Sequence, residues 1–190
     1  PRPLVDLKAA SVPSFWVAAV AGTITFGSLM GALFLGSQFT QNVLGYDALK
    51  AALVTLPMSL ALMLVSPVAG KVVASRGSRF TLAVGLIIVA VGFIVTVLTW
   101  RSTAGVGVVL LAYAIVGAGV GVCATPAAHS LMASLPVSRA GMGSAFTDLT
   151  RDFGGAIMQA VMGTVLAIVY ANYFEKAFAS LPPEEAANLS

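Results

Sequence analysis

Residues 50–71 read KAALVTLPMSLALMLVSPVAGK, so twenty residues without a charge or a histidine lie between Lys50 and Lys71. Residues 80–100, FTLAVGLIIVAVGFIVTVLTW, repeat the pattern between Arg79 and Arg101. A helix crosses a bilayer core with roughly 20 apolar residues. A charge near the middle of such a span is costly, so charges collect at its ends. Both stretches therefore read as membrane-spanning helices, and the rest of the chain follows from them.

The composition agrees. Of the 190 residues, 58% are hydrophobic and only 9% charged, with a mean hydropathy of +0.97. Soluble domains carry roughly 25% charged residues, and a water-facing surface cannot be assembled from so few. The net charge of +3 does not point to nucleic acid, because no basic cluster is interleaved with aromatics. Cys123 is the one cysteine, which excludes an intrachain disulfide and a thiolate metal cluster. Residues 1–12 carry no signal-peptide pattern and no starting Met, so the chain reads as a piece of something longer.

Five spans are expected, over residues 15–40, 49–69, 80–100, 106–135 and 143–174, joined by short linkers at 42–47, 71–79, 101–105 and 136–141. The expected fold class is an all-α polytopic membrane protein. Short links make sequential helices antiparallel neighbours. Arg2, Lys8, Lys71, Arg76, Arg79 and Arg139 fall on one side, Lys50, Arg101 and Lys176 on the other. The Lys/Arg-rich side is expected to be cytoplasmic, which puts the N-terminus inside and the C-terminal tail outside, in a plasma membrane.

The fourth span contains Gly117, Gly119 and Gly121. Gly117-x-x-x-Gly121 places two bare patches one turn apart, where another helix can approach closely. A dinucleotide fingerprint would need a preceding strand and a ribose-binding acid, and neither is present. Pro126 follows and is expected to kink or open the helix, either as simple packing or beside a cavity. Gly154 and Gly155 offer similar bare patches on the fifth span.

Asp148, Arg151 and Asp152 share a helical face through i,i+3 and i,i+4 spacing, and Gly155 and Gln159 continue it. Such a stripe is expected to point into the bundle or a wet cavity, with Arg151 matched by a carboxylate. Two readings stand side by side: a structural Asp–Arg clamp at the inner interface, and an ion-handling cluster. Gln38 and Gln41, at the far end of the first span, are candidates for a cavity wall. The hydroxyls of that span are expected to bond back to their own helix. His129 stands alone and Cys123 lies in an apolar helix, so both read as packing residues; no metal site and no cofactor are expected. No nucleophile–base pair, no HExxH and no second histidine appear, so an enzyme is not expected.

Three stretches resemble a known family. Gly70-Lys71-Val72-Val73-Ala74-Ser75-Arg76-Gly77-Ser78-Arg79 is similar to the G-x-x-x-D-R-x-G-R cytoplasmic loop of the major facilitator superfamily. Gly70, Arg76, Gly77 and Arg79 match, while Ala74 stands where the acid would be. Residues 41–51, QNVLGYDALKA, leading to Leu56-Pro57, resemble a segment of the DHA2 drug:proton antiporters, which have fourteen helices. Arg139-Ala140-Gly141-Met142 with Thr150-Arg151-Asp152-Phe153-Gly154-Gly155-Ala156 resembles another.

The resemblance implies that the five helices are the seventh to eleventh of a twelve-helix core, three plus two of an inverted repeat, with the last helix missing. Residues 1–174 would be the C-terminal bundle, and 175–190 an extracytoplasmic tail. It further implies a fragment of a proton-driven exporter of amphipathic or cationic compounds, working by alternating access. Its partners would be the lipid bilayer, the N-terminal half with its coupling acids, protons and amphipathic small molecules. The same fold moving a lipid, sugar or nutrient remains an alternative, as does a non-transporting assembly subunit.

Overall fold

The computed structural model describes residues 13–101, 105–133 and 140–179. Five α-helices run in order: α1 (Pro13–Gln38), α2 (Ala48–Arg76), α3 (Ser78–Thr99), α4 (Val106–Ala133) and α5 (Ala140–Ala179). A π-turn, Phe39–Val43, continues α1. Among the described residues there is no strand, and five helices are long and apolar enough to cross a membrane. The boundary expected at residue 175 falls inside α5, and the linker expected at 136–141 lies outside the described residues as far as Arg139.

The expected linker at 71–79 is not a loop. Arg76 ends α2 and Ser78 begins α3, leaving Gly77 alone between them. Gly77 has φ 82° and ψ 162°, a region essentially reserved for glycine. Its N–H closes α2 by donating to Val73 O at 2.9 Å, and its carbonyl opens α3 by accepting from Thr81 N at 3.3 Å. Thr81 Oγ1 donates to the same oxygen at 3.0 Å. The charges of Lys71, Arg76 and Arg79 mark the edge of the apolar layer rather than the end of the helices, since basic side chains are compatible with helix and extend to the interface.

At the other end, α2 starts on Asp47, whose Oδ1 accepts from Lys50 N at 2.8 Å and so satisfies one of the orphan donors of the first turn. The π-turn carries the widened bond from Leu44 N to Phe39 O, 3.1 Å. There buried Thr40 donates back to Gly36 O at 2.8 Å. Thr23, Thr25, Ser28 and Ser37 likewise donate to carbonyls of α1, as expected.

Helix α4 is the hub. It packs against α2, α3 and α1, and α1 in turn carries α5. The glycines decide how closely. A Cβ at Gly117 would stand 2.2 Å from Met58 O, and one at Gly121 2.8 Å from Leu62 O, so this ridge rests on the α2 backbone. Gly119 faces α3, where its Cβ would meet Val89 N at 2.6 Å. Around these crossings Met58, Val89, Tyr113, Val116 and Val120 form the main core. Pro126 is buried and α4 runs on through it. Thr125 Oγ1, one residue earlier, lies 3.5 Å from Ser66 O of α2 and from Gly121 O.

Candidate functional site

Helices α1 and α5 cross through a second glycine ridge. A Cβ at Gly154 would stand 2.3 Å from Thr23 O, and one at Gly27 3.0 Å from Gly154 O. Met158 fills the space over Gly31, and Met30 the space over Gly155. Gly27-x-x-x-Gly31 thus serves α5 as Gly117-x-x-x-Gly121 serves α2. The spacing of Gly27 and Gly31 is visible in the sequence, but their partner on α5 is not.

This crossing sets where the polar stripe points. Thr150, Gly154 and Gly155 are buried, whereas Asp148, Asp152 and Gln159 are exposed. Within the five-helix bundle the stripe runs along the edge of the α1 contact: Arg151 and Gly155 lie against Phe26 and Met30 of α1, and Asp148, Asp152 and Gln159 are left exposed beside them. Its charged residues, Asp148 to Asp152, lie 8 to 12 residues from the start of α5 at Ala140, or roughly 12–18 Å along the axis. The expected pairing of Arg151 is not met either. Among the described residues Arg151 makes no ion pair, and its guanidinium lies over the Phe26 ring, 5.1 Å from the centroid. That cation–π contact holds the charge against α1 and leaves its remaining N–H groups free. Phe26 sits on another helix, and no local spacing marks it as the partner of Arg151.

On the opposite flank of the α1–α5 crossing lies a groove of about 490 Å³, lined chiefly by Trp16, Val20, Ile24, Phe146, Leu149 and Phe153. Thr23 and Thr150 reach its wall, but their hydroxyls donate to Ala19 O and Thr147 O. The surface presented is therefore almost wholly apolar, and its volume lies within the range of small-molecule sites.

The other expected residues disperse. Gln38 ends α1 half-buried and accepts from Asn42 Nδ2, while Gln41 is exposed on the π-turn. They belong to the far end of the bundle and do not join Asp148. Gly70, Arg76, Gly77 and Arg79 gather at the α2–α3 joint, with Arg76 over the Phe80 ring at 5.2 Å. His129 is exposed on α4, and Cys123 is buried against α3, its Sγ 3.6 Å from Leu82 O. Among the described residues no His, Cys, Asp and Glu side chains gather as a metal-binding set.

Compared with known families, residues 1–159 match the Major Facilitator Superfamily. The chain belongs to that superfamily. Its five helices, without strands among the described residues, are those of an all-α polytopic membrane protein of the superfamily type. The chain is 35% identical over 166 residues to the multidrug resistance protein Stp of Mycobacterium tuberculosis, covering 87% of this chain and 30% of that one. It is 31% identical over 187 residues to the multidrug efflux pump LfrA of Mycolicibacterium smegmatis, covering 96% and 36%. With the quinolone resistance protein NorB of Staphylococcus aureus it shares 26% over 169 residues, covering 88% and 36%. The chain thus spans about a third of the length of the curated relatives it matches.

Proposed function

We propose that this chain is the C-terminal membrane bundle, residues 1–174, of a proton-driven exporter of amphipathic or cationic compounds in the plasma membrane. It acts as a carrier and makes no covalent change to its cargo. The names of the relatives, which speak of multidrug resistance and efflux, support the cargo class. The apolar groove between α1 and α5 supports it too. The N-terminus and the α2–α3 joint lie on the cytoplasmic side, and the tail beyond α5 lies outside. Gly70, Arg76, Gly77 and Arg79 form the cytoplasmic joint that takes part in gating. Helices α1, α4 and α5 line the path, with Gln38 and Gln41 at its outer end. An N-terminal half supplies the opposing wall and the coupling acids, and the two halves rock about the cargo.

One observation carries this reading: Asp148, Asp152 and Gln159 lie exposed in a row, with Arg151 beside them, on a helix that carries no other charge before Glu175. A carboxylate at this depth is costly unless water, a cation or an opposing bundle meets it. In the complete transporter, Asp148→Asn should keep a normal folded yield and lose efflux of a cationic substrate while retaining a neutral one. Loss of both cargoes with intact folding would assign Asp148 to proton coupling. Full activity towards every substrate would reduce it to a charge near a helix end and refute its role.

A further inference from the structure

The basic residues of the α2–α3 joint have no carboxylate to meet. Lys71, Arg76 and Arg79 are exposed, and among the described residues none of them makes an ion pair. Residues 48–147, which include all of α2, α3 and α4, contain no Asp or Glu. Asp148 and Asp152 belong to α5, which packs chiefly on α1. The joint is therefore a cationic patch that the helices around it do not neutralise.

The patch stands at the head of an exposed apolar surface. On α3, Phe80, Ile87, Val91 and Ile94 are exposed and share one helical face by their spacing. The Arg76 guanidinium lies over the Phe80 ring, 5.2 Å from its centroid, so a charge is held at the first residue of that stripe. On α2, Leu64 and Val68 are exposed, and Lys71 continues their face. Both stripes are apolar towards the middle of the helix and basic at the joint. In a bilayer acyl chains cover such stripes, and the head group of the covering lipid is brought to the basic residues. An arginine stacked on an aromatic ring still offers its in-plane N–H groups to a phosphate. A soluble anion or an acidic protein segment would meet the charges and leave the stripes unused.

We propose that the α2–α3 joint binds an anionic phospholipid. Arg76, Arg79 and Lys71 hold its head group, and its acyl chains lie along the stripes of α3 and α2. The lipid supplies the negative charge that the helices around the joint lack, and it anchors the joint to the membrane surface. The site does not depend on what the protein transports or on which membrane face the joint occupies.

The test is native mass spectrometry of the full chain, released from micelles that hold equal amounts of phosphatidylglycerol and phosphatidylcholine. A basic side chain at a membrane surface favours anionic lipid about fivefold, so bound phosphatidylglycerol should exceed phosphatidylcholine by at least that factor. Arg76→Gln with Arg79→Gln should bring the ratio towards parity. Lys50→Gln with Arg101→Gln removes the same charge at the other end of the bundle and should leave the ratio unchanged. Glutamine suits a helix, so both pairs should keep the helical circular-dichroism signal. Lys71→Gln alone, outside the joint's tight turn, should lower the ratio about fivefold. Inorganic phosphate in excess should not displace the lipid, because it makes no use of the stripes. Equal binding of the two lipids by the unaltered chain overturns the proposal and leaves the charges to an acidic protein segment. Equal loss in both pairs of variants overturns it too, as does displacement by phosphate, which would assign the joint to a soluble anion.

Discussion

Replacing Gly117 by leucine attacks the crossing on which the bundle is centred. The first added carbon alone would lie 2.2 Å from Met58 O and 2.8 Å from Met58 Cα. That is about 1 Å short of ordinary van der Waals contact, and the obstacle is backbone, so no rotamer relieves it. Helix α2 must be pushed off α4, and the neighbouring Gly121 contact with Leu62 opens with it. Overpacking of a closed interface costs typically about 1–3 kcal/mol, and about 1.4 kcal/mol is tenfold in a folding equilibrium. Gly163 provides the control, because nothing lies within 4 Å of its added Cβ. Gly163→Ala should leave stability unchanged or raise it by up to about 1 kcal/mol through helix propensity. The folded fraction would be followed by circular dichroism in mixed micelles of increasing denaturing detergent. The packing described here would be refuted if Gly117→Leu and Gly163→Ala unfolded at the same detergent fraction.

Gly77→Ala should cost about 1–3 kcal/mol, because an L-residue is strained at this backbone conformation; an unchanged midpoint in the same titration would contradict the tight joint. Asp47→Ala removes the cap on Lys50 N and should cost about 1 kcal/mol, with Asp47→Ser recovering most of it, as read from the same midpoint. In a Cys123→Ala background, Ser75→Cys should label with a membrane-impermeant thiol reagent only from the cytoplasmic side and Asn42→Cys only from outside. Labelling of both from one face would defeat the proposed orientation.

The helices were legible because a membrane span announces itself by length and lack of charge, whatever its neighbours are. Their ends were less so. Lys71, Arg76 and Arg79 read as a linker by charge, yet they are helical, because the edge of the apolar layer and the end of a helix need not coincide. The ridge of Gly117 and Gly121 was visible from its spacing; that it rests on Met58 and Leu62 was not, since those partners lie far away in the chain. The common face of Asp148, Asp152 and Gln159 follows from helical period alone. Its direction depends on which side of α5 meets α1, and Gly154, Thr150 and Thr23 decide that together. The contact of Phe26 with Arg151 is a product of packing between helices, and no local pattern marks it.

The single residue between α2 and α3 has a mechanical meaning. Successive Cα atoms are fixed at about 3.8 Å, and Gly77 lends its amide to one helix and its carbonyl to the next. Such a link has no slack to pay out. The two helices can swing like the arms of a caliper, but neither can slip lengthwise past the other without breaking one of the two bonds that Gly77 makes. A stroke applied to α2 is therefore delivered to α3 undamped. Lengthening the joint by even one glycine would introduce backlash, in which the lever still turns but the load lags behind it.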